Sequence, residues 1–284
     1  MPLVPMKELL DKAEKGQYAV GAFNCNNMEI VKAIIAAAEA ENAPVVIQAS
    51  QGAIKYAGLD YIVALVTLSA EKSRVPVALH LDHGTDFAQA VRCIKSGFTS
   101  VMIDNSRFPL EENIALTKKV VEIAKAVGVS TEAELGKIGG TEDDISVKDK
   151  DAVMTDPEEA RIFVEQTGVD ALAVAIGTAH GQYKFEPKLD FERLEKIRAN
   201  TDVPLVLHGS SGVPDKDIRR AVELGIRKVN IDTNIREAFV RGIKKVIAER
   251  PEEIDPRKIL GPAMEEMTTI VREKIRLFGS SGKA

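Results

Sequence analysis

Histidine is scarce in this 284-residue chain, and each of its four histidines lies at or just past the end of a short apolar run. His83, His180 and His208 would come from three different strands, and three neutral imidazoles can bind Zn²⁺ while leaving a fourth position open for substrate. Each histidine taken alone is more typical of a hydrogen-bonded side chain at a strand end, but the set of three indicates a catalytic metal site. The runs are VPVALHLDH (75–83), ALAVAIGTAH (171–180) and PLVLHG (204–209).

Acidic residues lie at similar positions. Asp82, Asp104 and Glu134 each occur where an apolar run ends. Asp104 and Glu134 could bind the metal directly, hold a second cation or orient the histidines, and the sequence leaves these roles open. His80 lies two residues before Asp82, on the same face of the run, so we expect it in the core or as support for a metal ligand.

Two loops of small and polar residues predict a phosphate site. HGSSGVPDKDI (208–218) and NIDTN (230–234) follow two consecutive apolar runs. Small residues let backbone N–H groups point outward, and the N-terminus of a following helix favours an anion. The glycine–serine turn alone would be weak evidence, because tight turns need glycine anyway.

A long polar segment at residues 134–157 follows the fifth apolar run. Segments of this length within compact domains are commonly lids or binding loops. Gly139 and Gly140 are candidate hinges that would let a carboxylate of Glu142, Asp143 or Asp144 swing over the site. A solvated acidic loop is the alternative, and the surrounding polar residues favour the lid.

These residues need a scaffold that gathers strand ends at one place. Apolar, β-branched runs alternate with amphipathic helical segments, a pattern typical of buried parallel strands with helical crossovers. Eight such units in about 240 residues predict a closed (β/α)8 barrel, whose active site lies at the C-terminal ends of the strands. The predicted strands are 18–24, 44–50, 75–82, 100–104, 130–135, 171–177, 204–209 and 227–232.

An open doubly wound sheet is the competing fold. The segment AFNCNNMEI (22–30), after the first predicted strand, lacks the GxGxxG turn that such a sheet normally carries. We therefore expect one barrel domain over residues 1–284. Residues 251–284 would form a helical extension that caps the barrel or contacts another subunit.

The composition favours a cytoplasmic protein with a small-molecule substrate. The chain is 45% hydrophobic and 29% charged, and its net charge of −5 argues against nucleic acid or an anionic membrane as a partner. It lacks the pattern of a signal peptide and an apolar run of membrane-spanning length. Cys25 and Cys93 are too few for a disulfide framework.

In this order and spacing the motifs resemble the class II, metal-dependent ketose-bisphosphate aldolases. The resemblance is closest to the class IIB group, which includes fructose-1,6-bisphosphate and tagatose-1,6-bisphosphate aldolases. HLDHG (80–84), EAELGKIGGTEDD (132–144) and AIGTAHGQYK (175–184) are its most specific parts. Matches over nearly the whole chain also include AVGAFNCNN (19–27), SVMIDNS (100–106), LHGSSGV (207–213), KVNIDTN (228–234) and DPR (255–257).

The resemblance implies reversible cleavage of fructose-1,6-bisphosphate to dihydroxyacetone phosphate and glyceraldehyde 3-phosphate, through a metal-stabilised enediolate. Tagatose-1,6-bisphosphate is the alternative substrate. His83, His180 and His208 would bind the catalytic Zn²⁺. Asp104 and Glu134 would form an alternate or second divalent-metal position. A monovalent cation, Na⁺ or K⁺, near the phosphate is also typical of the family.

The same resemblance implies roles for the remaining polar residues. Asp82 would act as acid and base at the C4 oxygen, and Glu142 would transfer the proton at C3. Arg257 would reach the second phosphate from a neighbouring subunit of a homodimer or homotetramer. The other substrate-binding positions would be Asn24, Ser50, Gly181, Gly209, Ser210, Ser211, Asn230, Ile231, Asp232 and Thr233.

Three other functions compete with this one. A Schiff-base aldolase would need a desolvated lysine inside the barrel, and we expect none there, because Lys137, Lys184 and Lys228 fall in predicted loops or at a strand start. A metal-dependent sugar-phosphate epimerase would share the barrel, the metal and the phosphate site. A non-catalytic role, as a sugar-phosphate sensor or a surface adhesion protein, is the third, and the intact set of histidines and acids argues against it.

Overall fold

The computed structural model of the protein describes residues 3–142, 145–147, 152–181, 183 and 186–284, with the backbone alone described at 141, 142 and 145–147. Its strands, in chain order, are β1 (Val20–Asn24), β2 (Val45–Ser50), β3 (Val77–Gly84), β4 (Ser100–Ile103), β5 (Ser130–Leu135), β6 (Gly139–Glu142), β7 (Ile145–Val147), β8 (Ala171–Val174), β9 (Ala179–His180), β10 (Leu205–Leu207) and β11 (Ile226–Ile231). Eight of these close into a parallel barrel in the order β1-β11-β10-β8-β5-β4-β3-β2, and the other three form a small sheet in the order β7-β6-β9. The predicted (β/α)8 barrel is confirmed.

Helices alternate with the barrel strands and cover their outer faces. They are α1 (Met6–Gly16), α2 (Met28–Glu41), α3 (Gln51–Ala57), α4 (Leu59–Lys72), α5 (Phe87–Ser96), α6 (Leu110–Ala126), α7 (Pro157–Thr167), α8 (Phe191–Asn200), α9 (Asp215–Glu223), α10 (Thr233–Glu249) and α11 (Pro256–Leu277). Within the described ranges, no single helix is both long and apolar enough to cross a membrane. Helices α3 and α4 meet those criteria only as a pair, and they are bent by 95° at their junction.

Local sequence fixes the ends of several helices. Asp86 and Asp190 precede α5 and α8, and each side chain accepts a hydrogen bond from a first-turn N–H that would otherwise lack a helical partner. Gly97 and Gly168 end α5 and α7 with φ angles of 105° and 66°. That left-handed conformation is the reason glycine is favoured there.

The barrel interior changes character along its axis. One end is closed by α1, whose Met6, Leu9 and Leu10 are buried in an apolar cluster with inward-facing strand residues such as Val46 and Ala78. Side chains two positions apart on a strand share a face. The inward-facing residues therefore change from apolar to polar toward the end of each strand. The polar ones are Gln48 and Ser50 on β2, and His80 and Asp82 on β3. The filled end leaves the polar groups at the opposite, C-terminal mouth.

The boundaries of the barrel strands lie within two residues of the prediction, except at the end of the sixth. The sixth barrel strand, β8, ends at Val174 rather than at residue 177. Gly177 has a φ angle of 107°, and a Cβ there would collide with the carbonyl oxygen of Lys188, so the chain turns instead of continuing the strand. Strand β3 extends beyond the predicted end at 82, as far as Gly84.

The C-terminal extension forms α11, which packs on α10 and α2 of the same chain. Asp255 begins this helix by accepting a hydrogen bond from the N–H of Arg257 at 2.9 Å. At its other end, the N–H of Ala19 donates to the carbonyl oxygen of Phe278 at 3.0 Å. The extension thus joins the layer of helices outside β1.

Close packing of α10 on α11 predicts that Gly242→Ala lowers the free energy of unfolding by about 1–3 kcal/mol. A Cβ at Gly242 would lie 2.5 Å from Cα of Ala263, so the two helices would have to move apart. Gly261→Ala is the control, because a Cβ there meets nothing within 4 Å. The free energy of unfolding of this variant should stay within about 1 kcal/mol of the wild-type value. Urea unfolding followed by circular dichroism measures both, and equal effects would contradict the prediction.

Candidate active site

The carboxyl ends of the barrel strands gather most of the predicted site residues at one mouth. Asn24 ends β1, Ser50 ends β2, and Asp82 with His83 lies near the end of β3. Asp104 directly follows β4, Glu134 is the next-to-last residue of β5, and His208 and Asp232 directly follow β10 and β11. In parallel barrels this is the face at which active sites are built.

Three imidazoles converge at this mouth. Nε2 of His83 lies 2.9 Å from Nδ1 of His208. The ring of His180 is centred 5.0 Å from that of His83 and 5.9 Å from that of His208. One nitrogen from each of the three rings lies within 4.8 Å of the others. A set of three converging neutral nitrogens fits Zn²⁺, which is bound by imidazole and keeps an open position at catalytic sites.

A second group of possible metal ligands shares His83. Its Nδ1 lies 3.1 Å from Oδ2 of Asp104 and 4.0 Å from Oε2 of Glu134. Burial opposes ionisation of Asp104, but hydrogen bonds from His83 and Ser106 hold the pKa of Asp104 below its usual range. Burial and the neighbouring charge of Asp104 raise the pKa of Glu134 well above its usual value. A cation beside both carboxylates would relieve that repulsion.

An unusual backbone conformation directs two consecutive side chains of β3 into the same site. Consecutive residues of a regular strand point to opposite faces. The strand does not end between Asp82 and His83, because β3 continues and Gly84 pairs with Ile103. Instead, His83 has a left-handed φ angle of 47°, and the pairing of β3 with β4 shifts register between Leu81 and Gly84.

The carboxylate of Asp82 is fully buried and held by amide donors. Nδ2 of Asn24 donates to its Oδ2 at 2.8 Å, and Nε2 of Gln48 donates to the same oxygen at 3.0 Å. Nδ2 of Asn230 donates to Oδ1 at 3.3 Å. Gln48 also donates to Oδ1 of Asn24 at 2.7 Å, which fixes the first donor. Sequence analysis missed Gln48, although it lies two residues before Ser50 on the same face of β2.

Sequence analysis also missed Glu132, which lies beneath the histidines. Its Oε1 is 2.8 Å from Nε2 of His208, and its Oε2 is 2.9 Å from Nζ of Lys228 and 3.6 Å from Nε2 of His80. All four side chains are fully buried. Burial opposes ionisation of Glu132, but the charge of Lys228 and the hydrogen bond from His208 lower its pKa below the usual range. Glu132 thereby fixes the ring of His208 and turns Nδ1 toward His83.

Lys228 corrects the prediction that lysine is absent from the strand cores. It is the third residue of β11 and is fully buried inside the barrel. The ion pair with Glu132 already engages its amine, so Lys228 does not present a free nucleophile to a carbonyl substrate. His80 accords with its predicted supporting position, because its Nδ1 lies 2.8 Å from Oγ of Ser100 within the barrel.

The predicted phosphate-binding residues form a narrow pocket of about 90 Å³ at the same mouth. Ile231 is absent from its lining and is buried in the core. Arg236, which sequence analysis missed, lines the pocket and pairs with Asp232 at 2.7 Å, four residues earlier on the chain. The lining consists of Asn24, His180, Gly181, Gly209, Ser210, Ser211, Asn230, Asp232, Thr233 and Arg236.

His180 is positioned by the small sheet rather than by the end of a barrel strand. It belongs to β9, which pairs with β6 so that Gly140 lies opposite His180. Gly140 has a φ angle of 97°, and a Cβ there would collide with the backbone of His180. The structure therefore gives Gly140, one of our candidate hinges, a role in close packing against β9, and Gly139 pairs with Ala179 of that strand. Glu142 ends β6, and its side chain lies outside the described part of the structure.

Two predicted substrate contacts are engaged elsewhere. Oγ of Ser50 accepts a hydrogen bond from the N–H of Ala53 at 3.1 Å and so caps α3. Arg257 lies on the C-terminal extension, where its side chain is 89% exposed and pairs with Asp255 at 2.8 Å. The structure does not bring Arg257 into the site of its own chain.

The chain is similar to known proteins over nearly its whole length. A family model described as fructose-bisphosphate aldolase class-II matches residues 4–283. The fructose-bisphosphate aldolase of Geobacillus stearothermophilus is 49% identical over 100% of this chain and 99% of its own, and that of Thermus caldophilus is 46% identical over 99% and 100%. Among solved structures, the YdjI aldolase from Escherichia coli K12 has a TM-score of 0.88 at 35% identity and covers 99% of both chains.

The buried histidines predict that metal-free protein loses stability as the pH falls. Burial lowers the pKa of His80 well below its usual value and that of His208 to about 4. Stability from such histidines is present above the pKa of the unfolded chain and is lost as the pH falls toward the folded pKa. Glu134, with its raised pKa, has the opposite sign, but one carboxyl is outnumbered by two histidines.

We expect the free energy of unfolding to fall by about 1.4 kcal/mol per pH unit between about pH 6.5 and pH 5. This slope corresponds to the net uptake of about one proton on unfolding. Urea unfolding of EDTA-treated protein across this range measures it. In His208→Asn, about one fewer proton should be taken up on unfolding, so the free energy of unfolding should depend less steeply on pH. Stability that stays constant or rises as the pH falls would contradict the titration scheme.

Proposed function

Because this chain belongs to the class II fructose-bisphosphate aldolase family, whose members depend on a metal ion, we propose that it reversibly cleaves fructose-1,6-bisphosphate to dihydroxyacetone phosphate and glyceraldehyde 3-phosphate. The convergence of His83, His180 and His208 beside the buried carboxylate of Asp82 carries this proposal. That arrangement places a cation site and a proton acceptor within one pocket, as aldol cleavage requires.

His83, His180 and His208 would hold the zinc ion. When bound, such an ion acts as a Lewis acid that stabilises negative charge developing beside the ketose carbonyl. Asp104 and Glu134 would provide the second divalent position beside His83, supported by the carboxylate repulsion described above. A Na⁺ or K⁺ ion beside the phosphate completes the proposed cation set.

Asp82 would remove the proton of the C4 hydroxyl as the C3–C4 bond breaks, and would return it during condensation. Its amide partners support this role, because they hold the carboxylate in one orientation without supplying a competing positive charge. Glu142 would deliver the proton to C3 from the hairpin that pairs with β9. Asn24 then has two functions, since it orients Asp82 and lines the phosphate pocket.

The narrow pocket at the ends of β10 and β11 would bind the phosphate of the dihydroxyacetone half. Ser210 and Ser211 offer hydroxyls, Gly181 and Gly209 allow close backbone approach, and Arg236 supplies positive charge. Backbone N–H groups at the start of α10, beginning at Thr233, would add a favourable dipole. Anchoring one end of the substrate fixes its reactive carbons beside Asp82.

The proposal extends to assembly and location. Residues 251–284 form part of the single barrel domain and provide a subunit contact in a homodimer or homotetramer. Arg257 supports this, because its side chain is 89% exposed at the surface, where it pairs only with the neighbouring Asp255 among the described residues. Cys25 and Cys93 are both buried and unpaired, which supports a reducing, cytoplasmic location.

Metal dependence and sugar preference can be measured together. We expect triose phosphate release in a coupled assay to vanish after EDTA treatment and to return with Zn²⁺. The kcat/KM values for fructose-1,6-bisphosphate and tagatose-1,6-bisphosphate decide the substrate, with the fructose sugar expected to be higher. Cleavage that survives EDTA and is trapped by borohydride would contradict the zinc mechanism, and epimerisation without cleavage would favour an epimerase.

Asp82→Asn is expected to lower kcat by about 10²–10⁴-fold, because an amide cannot accept the C4 proton. Zinc content, measured by atomic absorption, should remain that of the wild type. Asp202→Asn, an exposed acid at the far end of the barrel, is the control and should keep full activity. Unchanged turnover in Asp82→Asn would exclude the proposed acid–base role of Asp82.

A further inference from the structure

Tyr183 connects two parts of the candidate site, and the function proposed above gives it no role. Its hydroxyl accepts a hydrogen bond from the N–H of Ala179 at 2.7 Å and donates one to the carbonyl oxygen of Gly209 at 2.7 Å. Ala179 precedes His180 on β9, and Gly209 follows His208 after β10. One phenol therefore bridges the neighbours of two proposed metal ligands that come from different sheets.

The two segments that Tyr183 joins are in direct contact. Gly209 has a left-handed φ angle of 62°, and a Cβ there would lie 2.4 Å from the carbonyl oxygen of Ala179. The ring of Tyr183 lies against the same loop, since a Cβ at Gly212 would be 3.1 Å from its Cδ2 atom. The ring also packs, partly buried, against the apolar core. Its hydroxyl is thus held between β9 and residues 208–213, which we call the phosphate loop.

The hydroxyl is suited to hold both segments at once. Burial raises the pKa of Tyr183 to about 12, so the phenol remains protonated and can donate to Gly209. The hydrogen bond that it accepts from Ala179 strengthens the one that it donates, because consecutive hydrogen bonds polarise one another. Loss of this single oxygen would remove the partner of a backbone donor in one segment and of a backbone acceptor in the other.

The bond to Gly209 also orients the next peptide N–H. In a trans peptide the carbonyl and the following N–H point in opposite directions, so the N–H of Ser210 points away from Tyr183. Ser210 is buried and lines the narrow pocket. Among the described residues, none accepts a hydrogen bond from this N–H, although buried N–H groups rarely lack an acceptor. An oxyanion bound in the pocket would supply the missing acceptor.

We propose that Tyr183 is a positioning residue whose hydroxyl couples the phosphate pocket to the metal-binding histidines. This inference rests on the proposed function, which places a phosphate in the narrow pocket and a cation between the three histidines. A phosphate bound to the loop fixes the carbonyl of Gly209, and the phenol transmits this restraint through Ala179 to His180. Linkage requires the converse, so a cation that holds His180 stabilises the loop in its phosphate-binding form.

The effect of one ligand on the binding of the other tests the proposal without turnover. Methyl phosphate is the probe, because it is a phosphate monoester that lacks the carbonyl and hydroxyl groups through which a triose phosphate could chelate zinc. Its Kd is measured by isothermal titration, once with EDTA-treated protein and once with zinc-loaded protein. In the wild type we expect zinc to lower this Kd by about 10-fold, a factor typical of coupled sites. We call this ratio of Kd values the coupling factor.

Tyr183→Phe removes the hydroxyl and keeps the ring that packs on the phosphate loop. The coupling factor should fall to about twofold, which is the part that direct attraction between phosphate and zinc supplies. Metal-free Tyr183→Phe should also bind methyl phosphate about 3- to 10-fold more weakly than metal-free wild type, because the loop loses a hydrogen bond. The coupling factor is decisive, since a variant that was only less well folded would bind both ligands more weakly without changing their effect on each other.

A reciprocal titration and a matched variant serve as controls. Zinc affinity is measured by competition with a chromophoric chelator, and methyl phosphate should raise it by the same factor in the wild type. Tyr61→Phe removes the hydroxyl of an exposed tyrosine on α4 and should keep the wild-type coupling factor. An unchanged coupling factor in Tyr183→Phe, or an equal reduction in Tyr61→Phe, would overturn the proposal.

The same titrations separate this inference from the proposed function. Wild-type protein that couples the two ligands but releases no triose phosphate would contradict the aldolase function, while a reduced coupling factor in Tyr183→Phe would still support the role of Tyr183. Zinc-dependent cleavage together with a wild-type coupling factor in Tyr183→Phe would support the function and overturn the inference. Wild-type protein in which zinc and methyl phosphate have no effect on each other would also overturn the inference.

Discussion

The site depends on one buried negative charge. Glu132 lies inside the barrel without solvent, where an unpaired carboxylate would be strongly unfavourable. Lys228 neutralises it from the opposite side of the barrel, and His208 donates to its other oxygen. This pairing stabilises a polar layer between the apolar cluster around α1 and the open mouth of the barrel. The carboxylate of Glu132 also orients the imidazoles, because it fixes the ring of His208, which lies against His83.

A second constraint acts on β3, two strands away in the barrel. A left-handed residue other than glycine costs about 1–2 kcal/mol, and His83 adopts that conformation near the end of β3. Its side chain compensates through Asp104 and His208. As a result, the carboxylate of Asp82 and the imidazole of His83 occupy consecutive positions and still face one cavity. Local strain at this point replaces a loop that would otherwise be needed to deliver both groups.

Much of this arrangement was predictable, and the failures have physical causes. Apolar runs ending in His83, Asp82 and His208 locate strand ends, and strand ends of a parallel barrel must meet. Residues that face the barrel interior are harder to predict, because strands buried on both faces lack the alternation of apolar and polar residues that reveals which side chains face inward. Glu132 could have been found from its two-residue spacing to Glu134, whereas Lys228 was mistaken for a residue at a strand start. The position of His180 could not be predicted, since it depends on pairing between two distant segments.

That pairing divides the proposed ligand set between two sheets. His83 and His208 lie on the barrel, but His180 belongs to β9, whose partner β6 is the strand that ends at Glu142. Any displacement of β9 with β6 would therefore displace one of the three imidazoles. If the proposed cation is bound by all three histidines, then by thermodynamic reciprocity whatever stabilises β9 in place strengthens cation binding, and the cation stabilises β9 by an equal free energy. Order in the small sheet and retention of the proposed metal would then share one equilibrium.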